Sequence, residues 1–143
     1  MRERTLKFLG LMRRANALQV GENNSGEALR AGKAKLLLLA GDASENAKKR
    51  AESFVAARSC LLLPLPFTKE ELGGALGQGS CSMAAVTDLG FGNALIKRLE
   101  ELDPQRYGEA AEEVARRFSR AERRKQEKAG ERNKRNGKRR TNV

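Results

Sequence analysis

The run of four leucines at Leu36–Leu39 constrains the fold of this chain more than any other stretch of its sequence. Gly32 and Gly41 bracket the run. A short, continuous apolar segment between glycines favours a strand buried on both faces over an amphipathic helix. Further short apolar stretches lie at 18–21, 59–63 and 82–87. The chain is therefore expected to form a small sheet with helices packed on it.

Segments with helical periodicity separate the expected strands, because apolar residues recur in them every three to four positions. Helices are predicted at about 3–16, at 24–31, after Asp42, from Thr68 to Leu76, and after Asp88. Capping side chains are assigned to four of the helix starts: Asn24 with Glu27 in the capping-box position, Asp42 with Glu45, Thr68 with Glu71, and Asp88. Ser25 and Ser44 are interpreted as first-turn residues. Strands that alternate with helices in this way predict an α/β sandwich.

The basic residues are concentrated at the C-terminal end. Residues 116–143 contain 13 of the 29 lysines and arginines but 3 of the 18 acidic residues. This shift divides the chain into a domain at 1–102 and a basic extension at 103–143. An apolar stripe from Tyr107 to Phe118 predicts a helix at the start of the extension, and 131–140 is typical of a disordered basic segment. The extension is either a solvated tail or an electrostatic arm on RNA phosphates.

Composition excludes several classes of function. A net charge of +11 is typical of proteins that bind nucleic acid, the ribosome or an anionic surface. The absence of histidine excludes histidine-based catalysis and histidine-ligated zinc, and two cysteines are too few for a disulfide scaffold. No apolar run reaches membrane-spanning length. We therefore expect a cytoplasmic, non-enzymatic protein without a metal, a cofactor or a membrane partner.

Three stretches of the sequence carry a resemblance to a known family. They are Gly-Glu-Asn-Asn-Ser-Gly-Glu-Ala-Leu with Gly-Lys-Ala-Lys-Leu-Leu-Leu-Leu-Ala-Gly-Asp-Ala-Ser at 21–44, Lys-Glu-Glu-Leu-Gly at 69–73, and Ala-Val-Thr-Asp-Leu-Gly-Phe at 85–91. Together they resemble the ribosomal L-seven-Ae / L-thirty-e family, over about residues 4–100. The resemblance implies a three-layer α-β-α sandwich around a small mixed four-stranded sheet. It also implies a monomeric, non-enzymatic protein that binds kink-turn RNA and is associated with ribosomes or translation.

The resemblance places the RNA-reading motif, Gly-x-Asn-Glu-x-x-Lys, at the start of the second helix. Gly21 and Asn23 match this motif, whereas Asn24 replaces its glutamate and Glu27 its lysine. Asn24 can still accept a hydrogen bond from a base, although without a full charge. Glu27 repels phosphate where lysine would attract it, so this position departs most from the motif.

The resemblance implies a second RNA contact in the loop before the last strand. Its candidate residues are Ser80, Cys81, Ser82 and Met83, and the flanking candidates for phosphate contact are Arg30, Lys33 and Lys35. The extension adds a further set of expected phosphate contacts, namely Arg116, Arg117, Arg120, Arg123, Arg124 and Lys125. Cys60 is interpreted as an inert core thiol, and Cys81 as a loop thiol that could be exposed and redox-active.

Other interpretations remain open at this level. Asn23 and Asn24 could serve only to cap the helix and shape a turn. The domain could be a protein-docking module that has lost specific RNA reading, with the stripe Tyr107–Phe118 as its docking surface and RNA contacts only through the basic tail. A third hypothesis, the substrate-binding half of an RNA methyltransferase, is disfavoured by the length of the chain and its lack of histidine.

Overall fold

The computed structural model describes the backbone of residues 2–141 and the side chains of residues 2–131. Helices and strands alternate along the chain. The six helices of this part are α1 (Arg2–Arg14), α2 (Glu22–Arg30), α3 (Glu45–Ala56), α4 (Lys69–Ala75), α5 (Leu89–Leu102) and α6 (Pro104–Thr141). Its four strands are β1 (Leu18–Val20), β2 (Leu36–Leu39), β3 (Leu61–Pro64) and β4 (Met83–Val86).

The four strands form one mixed sheet in the order β1-β4-β2-β3. Strands β2 and β3 are parallel, with Leu36 opposite Leu61, and β4 runs antiparallel to both β1 and β2. Because β2 and β4 lie in the middle of the sheet, both of their faces are covered and all their residues are buried. This arrangement explains why their sequences are continuous apolar runs.

The leucines of β2 divide the interior into two cores, because successive side chains of a strand point to opposite faces. Leu36 and Leu38 pack with α1, α4, α5 and the start of α6, whereas Leu37 and Leu39 pack with α2 and α3. The sheet is thus the middle of three layers. The expected three-layer α-β-α sandwich with a mixed four-stranded sheet is confirmed.

The helix starts confirm two of the four predicted caps. Thr68 and Glu71 form a reciprocal capping box, and the Asp88 carboxylate accepts a hydrogen bond from the Phe91 N–H. The prediction for Asp42 is wrong, because Ser44 is the N-cap of α3 and accepts from the Ala47 N–H. Asp42 instead accepts a 2.7 Å hydrogen bond from the Lys69 N–H, which ties the loop before α3 to the start of α4.

The capping-box prediction at Asn24 and Glu27 is also wrong. Helix α2 begins at Glu22 with Gly21 as its N-cap, so Asn24 lies within the first turn and Glu27 lies in the helix interior. The Asn24 amide donates a 2.9 Å hydrogen bond back to the Val20 oxygen. Strand β1 is therefore followed almost directly by α2, which begins at Glu22 and not at residue 24 as the sequence predicted.

The basic extension, expected to be a solvated tail or an electrostatic arm, also contributes to the core of the domain. Tyr107, Ala111 and Val114 of α6 are buried in the core on the α1 side of the sheet. The backbone of α6 continues as a helix to Thr141, through the 131–140 stretch that was predicted to be disordered. The lysines, arginines and glutamates of this stretch are good helix formers. Its side chains after Glu131 lie outside the described part of the structure.

Candidate nucleic-acid interface

The start of α2 is built around Gly21, the N-cap residue. Its φ of +97° lies in the left-handed region, which a residue with a β-carbon rarely adopts. Its N–H donates a 3.0 Å hydrogen bond to the Met83 oxygen, and its own oxygen accepts from the Ser25 N–H. Glycine offers no capping side chain to the first turn of the helix, which leaves N–H groups there for an outside acceptor.

The outward face of α2 carries the polar residues of the predicted motif. Asn23, Asn24, Glu27 and Arg30 are all exposed, at positions that follow the helical repeat. The Asn24 amide nitrogen is used in the bond to Val20, which directs its oxygen away from β1. The structure therefore presents these four side chains on one solvent-facing surface and assigns no capping role to either asparagine.

The loop before β4 lies directly beside the start of α2, because the Gly21–Met83 hydrogen bond joins the two segments. Ser80 is exposed and Ser82 is half-buried. Cys81 and Met83 are only 4% and 0% exposed, so their side chains have no surface to offer a ligand. The expected exposure of Cys81 is therefore wrong: Cys81 packs in the core on the α1 side of the sheet, and Met83, the first residue of β4, packs in the core on the α2 side.

The two thiols are both weakly acidic. Burial raises the pKa of the Cys81 thiol, which donates a hydrogen bond to the Met83 oxygen at 3.2 Å. Burial also raises the pKa of the Cys60 thiol to about 11, although Arg117 and Lys35 oppose the shift. A reactive cysteine needs a lowered pKa and access to solvent. The structure therefore contradicts the suggestion of an exposed, redox-active Cys81 and supports an inert Cys60.

One groove joins the motif to residues that the sequence did not single out. It has a volume of about 400 Å³ and is lined by Asn24, Glu27 and Lys33 together with Asn16, Gln19 and Thr87 on neighbouring segments. Gln19 lies within β1, Asn16 precedes this strand and Thr87 follows β4, and the pairing of the two strands brings the three residues together. These three residues could have been found only from the antiparallel pairing of β1 with β4, which the periodicity of the sequence does not specify.

A second groove joins the domain to the basic extension. It has a volume of about 420 Å³ and lies between the C-terminal end of α2, the starts of β2 and β3, and one side of α6. We call it the basic groove and define it by its five cationic residues: Lys35, Arg58, Arg117, Arg120 and Arg124. Among its described lining residues there is no carboxylate. Arg58 was missed by sequence reasoning, since a single arginine at a helix end carries no signal.

Hydrogen bonds hold two of these arginines in place. Arg117 donates to the Glu113 carboxylate at 2.9 Å and to the Ser59 oxygen at 3.0 Å. Hydrogen bonds from Arg116 and Arg117 lower the pKa of Glu113. Arg58 donates to the Arg30 oxygen. Within the described side chains, Lys35, Arg120 and Arg124 have no carboxylate partner and remain available to an anion.

The remaining candidate arginines and lysine of α6 lie outside the basic groove. Arg116 and Arg123 border a smaller depression, lined by α6 residues, which adjoins the basic groove at Arg120. Arg116 is paired with Glu113, and Lys125 is 3.7 Å from Glu122. The structure thus separates the six predicted phosphate contacts of the extension into two groups.

The comparison with known families decides what kind of protein this is. The profile of the ribosomal protein L7Ae/L30e/S12e/Gadd45 family matches residues 3–96. The chain belongs to this family. It is 36% identical to the RNA-binding protein YlxQ of Bacillus subtilis (strain 168) over 97 residues, which cover 65% of this chain and 92% of that protein.

Solved structures of family-like proteins have the same fold. A protein of unknown function from Bacillus halodurans C superposes with a TM-score of 0.58 at 28% identity, covering 64% of this chain and 91% of its own. The Giardia lamblia 15.5kD RNA binding protein superposes with a TM-score of 0.55 at 16% identity, covering 69% and 84%. At that identity, the second likeness concerns the fold alone.

The described part of the chain contains neither a membrane-spanning helix nor a cluster of metal ligands. No helix there is both long and apolar enough to cross a membrane. No three histidine, cysteine or acidic side chains in this part lie together as metal ligands would.

Proposed function

We propose that this chain binds structured RNA of the kink-turn type, without catalysing a reaction, in association with the ribosome or with translation in the cytoplasm. Two surfaces of the protein contact the RNA. The first, which we call the reading face, consists of Asn23, Asn24, Glu27, Lys33, Ser80 and Ser82. The second is the basic groove. Support comes from the family membership and from the RNA-binding relative that covers most of the domain.

The observation that carries the proposal is the composition of the basic groove. Lys35 belongs to the domain and Arg120 to the extension, yet both line one groove without a carboxylate among its described residues. Clustered, unpaired cations attract a polyanion, and each phosphate that they neutralise releases counterions. The groove also borders Leu29 and Gly32 at the end of α2. A phosphate backbone held there would therefore pass close to the reading face.

The reading face supplies the groups that recognise shape and bases. N–H groups at the start of α2 suit a phosphate or a base acceptor, and Gly21 allows a close backbone approach. The exposed asparagines carry both donors and acceptors, as base-edge recognition requires. Glu27 lowers the affinity of this face for phosphate, so the basic groove supplies much of the binding free energy.

The test compares a kink-turn RNA with a duplex of equal length at two salt concentrations, using the full chain. Truncation at Leu102 is unsuitable, because it would remove the buried Tyr107. The groove variant carries Arg120→Gln and Arg124→Gln. The matched control carries Lys48→Gln and Lys49→Gln on α3, which removes the same charge elsewhere. A third variant, Asn23→Ala, tests the reading face.

We expect the groove variant to bind both RNAs more weakly. Its affinity should also depend less on salt, with a slope of log affinity against log salt that is smaller in magnitude by about 1.5. The α3 control should keep the slope of the unmodified chain. Asn23→Ala should remove the preference for kinked RNA and leave the salt slope unchanged. If the unmodified chain showed no preference for kinked RNA, the reading face would be refuted. The alternative, a docking module that contacts RNA only through its basic tail, would then be supported.

A further inference from the structure

A third groove lies between α1 and α5, on the opposite face of the sheet from α2. It has a volume of about 780 Å³. Its rim is strongly cationic, with five basic residues and one carboxylate: Arg4, Lys7, Arg14, Lys97, Arg98 and Glu101. We call it the α1/α5 groove. None of its residues belongs to the reading face or to the basic groove.

The floor of the α1/α5 groove is apolar. Leu11 lines it and is 46% exposed, the one large apolar side chain of the described residues that is exposed. Phe8 lies beside it, with the Arg98 guanidinium 3.9 Å from its ring centroid. An exposed leucine within a rimmed groove is typical of a contact surface.

A buried, unpaired acceptor also lines the groove. Asn93 is 7% exposed, and its side-chain oxygen has no hydrogen-bond partner among the described residues. Buried polar atoms are nearly always paired, and one with so little accessible surface is commonly satisfied by an ordered water. Asn93 lines the groove together with Leu11 and the cations, which places the acceptor next to both.

We propose that the α1/α5 groove docks an acidic segment of a partner protein that carries an apolar side chain. The cations attract its carboxylates, and the exposed Leu11 contacts its apolar side chain. RNA phosphates would neutralise the cations but offer no apolar group to the exposed Leu11. The Arg98 guanidinium covers one face of the Phe8 ring, and the Phe91 ring lies 6.0 Å from its centroid, so Phe8 is not an open stacking surface for a base. These features favour a peptide over RNA.

The test selects peptides of about 12 residues from a displayed random library against the full chain. A selected peptide is then titrated into the labelled protein, and its binding is followed by NMR of the backbone amides. The variants are Leu11→Ser and Lys97→Glu, both at exposed positions, so the fold is retained. The control, Lys49→Glu on α3, changes the net charge by the same amount as Lys97→Glu.

We expect enrichment of peptides that combine aspartate or glutamate with a large apolar residue. Their binding should shift the amides of α1 and α5 and weaken about tenfold in Leu11→Ser and in Lys97→Glu, but less than twofold in Lys49→Glu. Failure to enrich such peptides, or equal binding by the groove variants, overturns the proposal. It is also overturned if kink-turn RNA alone shifts the same amides, or if raising the protein concentration does so, since RNA or a second copy would then be the occupant.

Discussion

The Tyr107 hydroxyl donates a 2.6 Å hydrogen bond to the backbone oxygen of Pro64. Tyr107 lies near the start of α6, and Pro64 is the last residue of β3, so the bond ties the basic extension to the edge of the sheet. The tyrosine ring is 1% exposed within the core. This attachment fixes the path of α6 past the domain and thereby brings Arg120 next to Lys35.

Loss of the Tyr107 side chain should destabilise the whole domain. Tyr107→Phe removes the hydrogen bond alone and should lower the free energy of unfolding by about 1 kcal/mol. Tyr107→Ala also leaves a cavity and should cost about 3–5 kcal/mol. Urea denaturation measures both. The exposed Ser119→Ala on α6 is the control, and a Tyr107→Ala result equal to that of Ser119→Ala would show that α6 is not part of the folded core.

Local chemistry explains which parts of the fold were predictable. The Thr68 capping box and the leucine run of β2 depend on neighbouring residues only, and both are confirmed. The caps at Asn24 and Asp42 were misassigned because several polar residues follow each strand. Which of them becomes the N-cap depends on where the backbone turns. Asp42 does not cap α3 because its carboxylate accepts a hydrogen bond from the Lys69 N–H, a contact between segments distant in sequence.

Some residues of the candidate site were predictable one by one, but their arrangement was not. Lys35 and Arg120 were each expected to contact phosphate, but their common groove depends on how α6 docks. The apolar stripe from Tyr107 to Phe118 indicated a buried helix face without indicating its partner. Val114 in this stripe packs into the chain's own core, so the buried part of the stripe is not a docking surface for another protein.

Two adjacent glycines of α4 should respond in opposite ways to alanine. A β-carbon at Gly73 would lie 2.6 Å from the Ser80 α-carbon, so Gly73→Ala must displace the loop before β4. We expect a loss of about 1–3 kcal/mol in the free energy of unfolding. A β-carbon at Gly74 meets nothing within 4 Å, and Gly74→Ala should stabilise the helix by about 0.5–1 kcal/mol.

Thermal or urea unfolding distinguishes the two glycine variants, and RNA binding adds a second readout. Because the displaced loop lies beside Gly21, Gly73→Ala should also weaken discrimination between kinked and duplex RNA. Gly74→Ala should leave this discrimination unchanged. Equal stability of the two variants would show that the loop does not pack closely on α4.

The Cys60 thiol should make the protein less stable at alkaline pH. Its pKa is 9.0 in a free chain and about 11 in the folded protein, because burial disfavours the thiolate. Between these values the unfolded chain releases the proton more readily than the folded protein. The free energy of unfolding therefore falls as the pH rises from about 9 to about 11, and the stabilisation is complete below about 9.

Urea denaturation at about pH 8 and about pH 10.5 measures this loss. Cys60→Ala should lose less stability over the interval than the unmodified chain. Ser59→Ala, an exposed neighbouring substitution that removes no titrating group, should lose as much as the unmodified chain. If Cys60→Ala and the unmodified chain lost stability equally, the thiol would have the same pKa in both states.

Glu27→Lys should strengthen RNA binding. Glu27 is exposed on the outward face of α2, within the groove that Asn24 and Lys33 also line. The substitution replaces a charge that repels phosphate with one that attracts it. We expect about tenfold tighter binding of kinked RNA at low salt and a steeper salt dependence. The free energy of unfolding should change by less than about 0.5 kcal/mol, since the side chain is on the surface.

The matched control for this prediction is Glu52→Lys, an exposed substitution on α3 that changes the net charge equally. A general increase in charge would raise the affinity of both variants for kinked RNA and duplex alike. A reading face at α2 instead predicts that Glu27→Lys gains more than Glu52→Lys and that its gain is larger for kinked RNA. Equal gains in affinity for the two variants on both RNAs would show that α2 does not contact the RNA, because long-range electrostatic attraction alone would then explain the gains.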